Sequence, residues 1–348
     1  MEFFCFRHRL EFKIPGGTSR GVLRHKDSWL IQISKNDKHG IGECSIIEGL
    51  SPESPQIVTD IFEEIPIYLE KGKDFLIQRY AEAPAVQFAI EMAFSGLESR
   101  HPLLHFDTPV INGHQTIPIN GLIWMGDIES MMAQLEQKVS LGFSCIKIKV
   151  GAIDFESECD FLHHIRTRYH SSDIELRLDA NGAFQTEDVM SKLSELSKYD
   201  IHSIEQPIAP GQWDEMATLC KTSPIPIALD EELIGINSKE NKENLIQQIH
   251  PQYIIIKPSL VGGWQGSDQW VSIAEKHDIG WWATSALESN IGLNAIAQWV
   301  STKQSSMPQG LGTGGLFTNN IHTPLYLRGQ NMGFDPNKLS DFTLKSCL

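Results

Sequence analysis

Hydrophobic and polar positions alternate in short runs over residues 1–50, as in "EFFCFRHRLEFKI" and "SWLIQIS", with turn residues between the runs ("IPGGTSRG", "SKNDKHG"). A period of two predicts an antiparallel meander with one covered face. Two helical patterns follow, "SPESPQIVTDIFEEIPIYLEKG" and "APAVQFAIEMAFSGLESR", the second with Ser95 and Gly96 as a spot for close packing. From residue 117 onward, short β-branched runs alternate with amphipathic helices. The predicted strands are "IPINGLI", "CIKIKV", "IELRLDA", "IHSIEQ", "IPIALD", "YIIIKP", "GWWATSA" and the stretch before "GLGTGG". Eight strands with helices between them predict a (β/α)8-type barrel. The polar residues closing four of these strands, Asp179, Glu205, Asp230 and Lys257, stand 26, 25 and 27 residues apart. One strand, one helix and two short loops take roughly that length, about 25 residues. The expected division is an α+β unit over 1–110, the barrel over 111–315, and a C-terminal segment, 316–348, that returns to pack on the first unit and completes it as a capping domain.

Strand parity decides where charge goes. In "CIKIKV", Ile146, Ile148 and Val150 share one face and Lys147 and Lys149 the other. The outer face of a barrel strand must meet helices, so the lysines point into the barrel. The same test turns Arg177 and Asp179 inward, and Lys257 with Tyr253 and Ile255. Glu205 and Asp230 end "SIEQP" and "ALDEE". All of these charges therefore converge on the C-terminal mouth, where barrel enzymes place their sites. Each motif alone has a plainer reading: a solvated lysine edge, a turn, or a cap. Their shared period and shared end favour one site. His163 and His164 read as surface or packing residues of a helix, and one ring of Trp281–Trp282 faces the core while the other faces inward.

Three converging carboxylates repel one another, and a hard divalent cation removes that conflict. Asp179, Glu205 and Asp230 are the expected ligands of Mg²⁺, with Mn²⁺ able to substitute. Lys149 and Lys257 then stand on opposite sides of a metal-held substrate oxygen. A lysine crowded by cations and partly desolvated is expected to have a lowered pKa and to act as a base. Such apparatus removes a proton beside a carboxylate and stabilises the resulting enediolate. Lys147 and Arg177 read as supports for these groups or as structural ion pairs.

Composition narrows the partner class. A net charge of −15 over 348 residues offers no basic stripe for nucleic acid. Cys5, Cys44, Cys145, Cys159, Cys220 and Cys347 lack metal-ligand spacing, which favours a reducing compartment. With no apolar run of membrane-spanning length, the expectation is a cytoplasmic enzyme acting on a small molecule, with no membrane partner.

"KIKVG", "RLDANGAF", "IEQPI", "ALDEEL" and "IIKPSLVGG", in this order, resemble the muconate-lactonizing subgroup of the enolase superfamily over essentially the whole chain. The resemblance implies Mg²⁺ on Asp179, Glu205 and Asp230, Lys149 as acid/base, and Lys257 as the lysine opposite. It also implies substrate-binding or supporting positions at Asn181, at Gly262 and Gly263, at Ser285, and at Gly312 and Thr313. Within the subgroup, "KPSLVGG" followed by "SALESNIGLNAIAQW" is similar to members that dehydrate 2-succinyl-6-hydroxy-2,4-cyclohexadiene-1-carboxylate in menaquinone biosynthesis. Racemisation of N-acylamino acids or epimerisation of dipeptides is the alternative. Dipeptide epimerases carry an Asp-x-Asp for the substrate ammonium on the last strand, where this chain reads "GLGTGGLF", and those glycines suit an anion instead. A dicarboxylate without a free amine is therefore the expected substrate, with "GGTSRG" around Arg20 and "SIIEGLSPES" closing over it.

Overall fold

The computed structural model describes residues 1–18, 21–303, 305–339, 342 and 344. Strands β1 (Glu2–Thr18), β2 (Gly21–Lys35) and β3 (Lys38–Ser45) form the expected antiparallel meander. Helices α1 (Pro55–Tyr68), α2 (Lys73–Arg79) and α3 (Pro84–Glu98) follow it. The seven-residue α2 has no clear amphipathic pattern and was not expected. One sheet face meets α1 and α3 through Trp29, Ile31, Ile33, Val58, Phe62 and Ile90. Helix α3 lies so close to β3 that a Cβ on Gly40 would stand 1.8 Å from the Ala93 carbonyl oxygen, and one on Gly42 2.0 Å from that of Ala89. Gly96 is a close-packing point as anticipated, with the Pro102 carbonyl 2.4 Å from a Cβ there.

The run "IPINGLI" is two strands. β4 (Ile117–Pro118) leaves for a small antiparallel sheet, and β5 (Gly121–Ile123) starts the large one. Pro118, which has no N–H to give to a ladder, ends the first. β5, β6 (Cys145–Lys149), β7 (Glu175–Asp179), β8 (Ile201–Glu205), β9 (Ile227–Leu229), β10 (Tyr253–Ile256) and β11 (Gly280–Ala283) make a parallel sheet in chain order. α4 (Ile128–Ser140), α5 (Phe155–Arg168), α6 (Val189–Leu196), α7 (Trp213–Thr222), α8 (Lys239–Ile249), the single turn α9 (Pro258–Val261) with α10 (Gly263–Lys276), and α11 (Asn290–Ser301) follow successive strands. Ile146, Ile148, Leu176, Leu178, Ile254 and Ile256 face those helices in one continuous core.

The eighth expected strand is reduced to Gln309 and Gly310. The Gly310 N–H donates to Ala283 O at 2.8 Å on the β11 side, and the Gln309 N–H donates to Pro118 O at 2.8 Å on the other. The chain then returns to the first unit, where Lys13 N–H donates to Leu316 O and Phe317 packs on Phe12. Beyond that, β12 (Leu325–Arg328) and β13 (Asn331–Phe334) form a hairpin whose β13 pairs with β4, so this part of the tail lies under the barrel-like sheet. Leu344 rejoins Leu30 and Ile41 of the meander. Among the described residues no helix is long and apolar enough to cross a membrane.

Candidate active site

Parallel register sets the site. Lys149 pairs with Asp179 and Asp179 with Glu205, so the last residues of β6, β7 and β8 stand in a row at the C-terminal edge. Glu205 is level with Ala228, and Asp230 follows just past the end of β9. One carboxylate oxygen from each of Asp179, Glu205 and Asp230 lies within 4.8 Å of the other two, and all three residues are buried. The lysines interleave with them. Lys147 Nζ donates to Asp179 Oδ2 and Glu205 Oε2, both at 2.9 Å, and Lys149 Nζ donates to Asp179 Oδ2 at 2.6 Å and Asn181 Oδ1 at 2.7 Å. From the far side of the sheet, Lys257 Nζ reaches Asp230 Oδ2 at 2.5 Å.

These pairs set the proton affinities. Burial raises Asp179, but Lys147, Lys149 and Lys257 outweigh it and hold that carboxyl well below its usual range. Glu205 goes the other way: burial, with Asp179 and Asp230 nearby, raises it against the pull of Lys147. Burial also lifts Asp230 against Lys257. Burial pulls Lys257 down, yet Asp230 and Glu231 more than compensate and leave it above the ordinary lysine value. The expected lowering of its pKa is thus not what this geometry produces, because the nearest charges to the ammonium are carboxylates and not other lysines.

The triad suits a hard cation on two counts. All its donors are carboxylate oxygens, and Glu205 Oε1 is buried with no hydrogen-bond partner. A buried unpaired carboxylate oxygen is costly, and a bound divalent ion satisfies it.

Asn181, in a left-handed turn at φ 46°, lies at the site: its Nδ2 donates to Glu231 Oε1 at 2.9 Å while its Oδ1 receives Lys149. Ser285 is at the same edge but is engaged with Glu288 Oε2 at 2.5 Å. Gly312 and Thr313 form a short 3-10 turn (Gly312–Gly315) after Gly310, where Thr313 Oγ1 is buried without a partner. Arg177 points inward but toward the opposite end of the sheet: it donates to Glu175 and to Pro308 O and stacks on Trp282 at 4.2 Å, as a structural ion pair would. Gly262 and Gly263 are not with the carboxylates. They press on α3, where a Cβ on Gly263 would sit 2.2 Å from Glu91 Oε2. Trp281 faces the helices and Trp282 the interior, as parity required, and His163 and His164 are exposed on α5. Ser19 and Arg20 lie outside the described residues.

Sequence reading missed Gln206, Glu231 and Glu232. Gln206 Oε1 accepts the N–H groups of Asp230 and Glu232, both at 3.2 Å, and its Nε2 donates to Glu232 Oε2 at 3.0 Å, so it ties the end of β8 to that of β9. The polar run "DEE" after an apolar strand was the available signal, but parity stops at the 3-10 turn Glu231–Leu233.

Residues 130–322 match the family model described as enolase C-terminal domain-like. The chain is 43% identical to the o-succinylbenzoate synthase of Desulfotalea psychrophila over 96% of its own length and 99% of that protein's. The crystal structure of MenC from the same organism superposes with a TM-score of 0.85 at 40% identity, covering 96% of this chain and 99% of that one. The L-Ala-D/L-Glu epimerase of Francisella tularensis is 23% identical over 79% of this chain and 80% of its own. The chain belongs to the o-succinylbenzoate synthase family of the enolase superfamily.

Proposed function

We propose that the protein dehydrates 2-succinyl-6-hydroxy-2,4-cyclohexadiene-1-carboxylate to 2-succinylbenzoate. The observation that carries this reading is the full-length likeness to an o-succinylbenzoate synthase, at an identity far above that of the epimerase. The geometry supports a division of labour. Lys149, oriented by Asp179 and Asn181, takes the proton from the ring carbon beside the carboxylate. The C–H electron pair is first delocalised toward the substrate carboxylate; in the second step it moves into the ring as the neighbouring C–OH bond breaks, and the same ammonium returns its proton to the departing hydroxide, so one water leaves and the ring becomes aromatic. Lys257, on the other side of the triad, balances the negative charge that develops between the two steps. Asp179, Glu205 and Asp230 would hold Mg²⁺, which supplies positive charge for the substrate carboxylate and loosens the hold of these carboxylates on the lysines. Mn²⁺, another hard cation, is expected to replace it. Lys147 bridges Asp179 and Glu205 and keeps them in register. The turn at Gly312 and Thr313 is the place for the second carboxylate of a small dicarboxylate substrate.

The wider architecture fits the same reading. We read the sheet from β5 to β11, with Gln309–Gly310 bonded to Ala283 on one side and Pro118 on the other, as a (β/α)8-type barrel, and the N-terminal unit, joined by Leu316, Phe317 and Leu344 from the tail, as its capping domain.

The test is direct. Purified enzyme with Mg²⁺ should aromatise the diene, followed in the ultraviolet, far faster than it exchanges the α-proton of N-succinylamino acids or of L-Ala-L-Glu in D₂O. Faster exchange than dehydration would make the protein a racemase. Lys149→Ala should lose roughly 10³-fold or more in kcat, since both proton transfers pass through it, and Lys257→Ala about 10²-fold.

A further inference from the structure

Helix α3 belongs to the N-terminal unit, yet its Glu91 is directed at the chain that follows Lys257. Glu91 Oε2 accepts the Trp264 N–H at 2.5 Å and Oε1 the Gln265 N–H at 3.1 Å, and the residue is buried. These are among the first N–H groups of α10, which have no partner within the helix, and a carboxylate is favoured there by the helix dipole as well. Only the single turn α9 and two glycines separate this anchor from Lys257. That spacer is stiff: Leu260 N–H donates to Lys257 O at 2.8 Å, and all four α9 residues are buried. Gly262 and Gly263 adopt φ of 94° and 67°, which lets the backbone turn against α3 where a side chain would strike Glu91 and Phe88. Phe88 then packs edge-on against Trp264 at 5.7 Å.

The next strand is held in the same way. Glu43 of β3 accepts the N–H groups of Ser289 and Gly292 at the start of α11, both at 2.8 Å, together with the Ser289 hydroxyl. Glu288 ties the two loops to each other through the hydroxyls of Ser259 and Ser285, each at 2.5 Å.

We propose that Glu91 is a positioning residue for Lys257: from the N-terminal unit it fixes the far end of the short segment whose near end carries the lysine. A displacement of about 1 Å at a reacting group costs roughly a hundredfold in rate, so an anchor this close to Lys257 sets kcat more than substrate affinity. The proposal rests on the role given to Lys257 above.

Four full-length variants test it with the diene substrate and saturating Mg²⁺: Glu91→Gln, Glu91→Asp, Lys257→Ala, and Glu91→Gln combined with Lys257→Ala. Glutamine offers one acceptor oxygen and turns its NH₂ toward the second N–H. Glu91→Gln should therefore lower kcat by roughly ten- to a hundredfold with KM changed less than about threefold and the Mg²⁺ requirement unaltered. Glu91→Asp keeps a carboxyl group with two acceptor oxygens but sets it one methylene short of the Trp264 and Gln265 N–H groups, so it should recover only part of the loss. With Lys257 already replaced, Glu91→Gln should change the residual turnover by less than about twofold, because the two residues act as one unit. Wild-type kcat in folded Glu91→Gln, or an equal loss with and without Lys257, overturns the proposal. If circular dichroism shows Glu91→Gln unfolded, wild-type kcat in folded Glu91→Asp overturns it just as well. Full turnover by Lys257→Ala would instead remove the role of Lys257 itself, an outcome read from that single variant alone.

Discussion

Glu53 sits where its charge is costly. Its Oε1 accepts the Ala85 N–H at 2.7 Å near the start of α3, its Oε2 is buried without a partner, and burial pushes the carboxyl up to about 7. The folded value exceeds the unfolded one, near 4.5, so the folded state binds the extra proton. The stability this contributes is fully present below about pH 4.5 and is lost as pH rises through about 7, on the order of 3 kcal/mol. Glu53→Gln removes the titration. The difference in urea midpoint between wild type and variant should shift in favour of the variant from pH 4.5 to pH 8. Parallel pH profiles for the two proteins would refute this. Strand parity made Lys147, Lys149, Asp179 and Lys257 legible because a two-residue period is a local property of the chain. Glu53, Glu91 and Glu231 were not legible, since each owes its environment to residues distant in sequence or to a turn without a period.

At the scale of elements, the joint between α3 and β3 is made by the absence of side chains. Gly40 and Gly42 alternate on the sheet face that α3 covers, and the helix backbone fills the space their Cβ atoms would need. Gly42→Ala must either lift α3 or bend β3, at a cost of about 1–3 kcal/mol. Gly315→Ala, where a Cβ meets nothing within 4 Å, should be nearly neutral. A chemical denaturation series comparing the two would settle it; equal midpoints would mean that α3 accommodates the methyl group. Helix α3 also carries Glu91, so Gly42→Ala should lower kcat along with stability. Regular elements were readable where they ran long enough to show a period, as in β6, β7 and α3. The split of "IPINGLI" was not, because Pro118 and the pairing of β13 with β4 decide it; the short α2 has no clear amphipathic pattern, and the two-residue eighth strand is too short to show a period.

For the molecule as a whole, a metal held at the triad would be coupled to the fold. Asp179, Glu205 and Asp230 come from three strands and meet only when the sheet is assembled, so an ion held by all three binds the folded chain and not the unfolded one. Such binding stabilises by about 2.7 kcal/mol at a hundred times Kd, which for a chain of this size raises Tm by several degrees. A net charge of −15 complicates the measurement, since any cation relieves general repulsion. Two controls separate the effects. Monovalent salt at equal ionic strength reproduces the general effect but not the specific one. Asp179→Asn, Glu205→Gln and Asp230→Asn should each keep the general shift and lose the specific one, while the ion pairs with Lys147, Lys149 and Lys257 become unbalanced. Chelation should return wild-type Tm to its ion-free value and abolish turnover, and Mg²⁺ or Mn²⁺ should restore both together. If the Mg²⁺ shift persisted in Asp230→Asn at wild-type size, the ion would be binding outside the triad; full turnover in excess chelator would remove the metal from the reaction altogether.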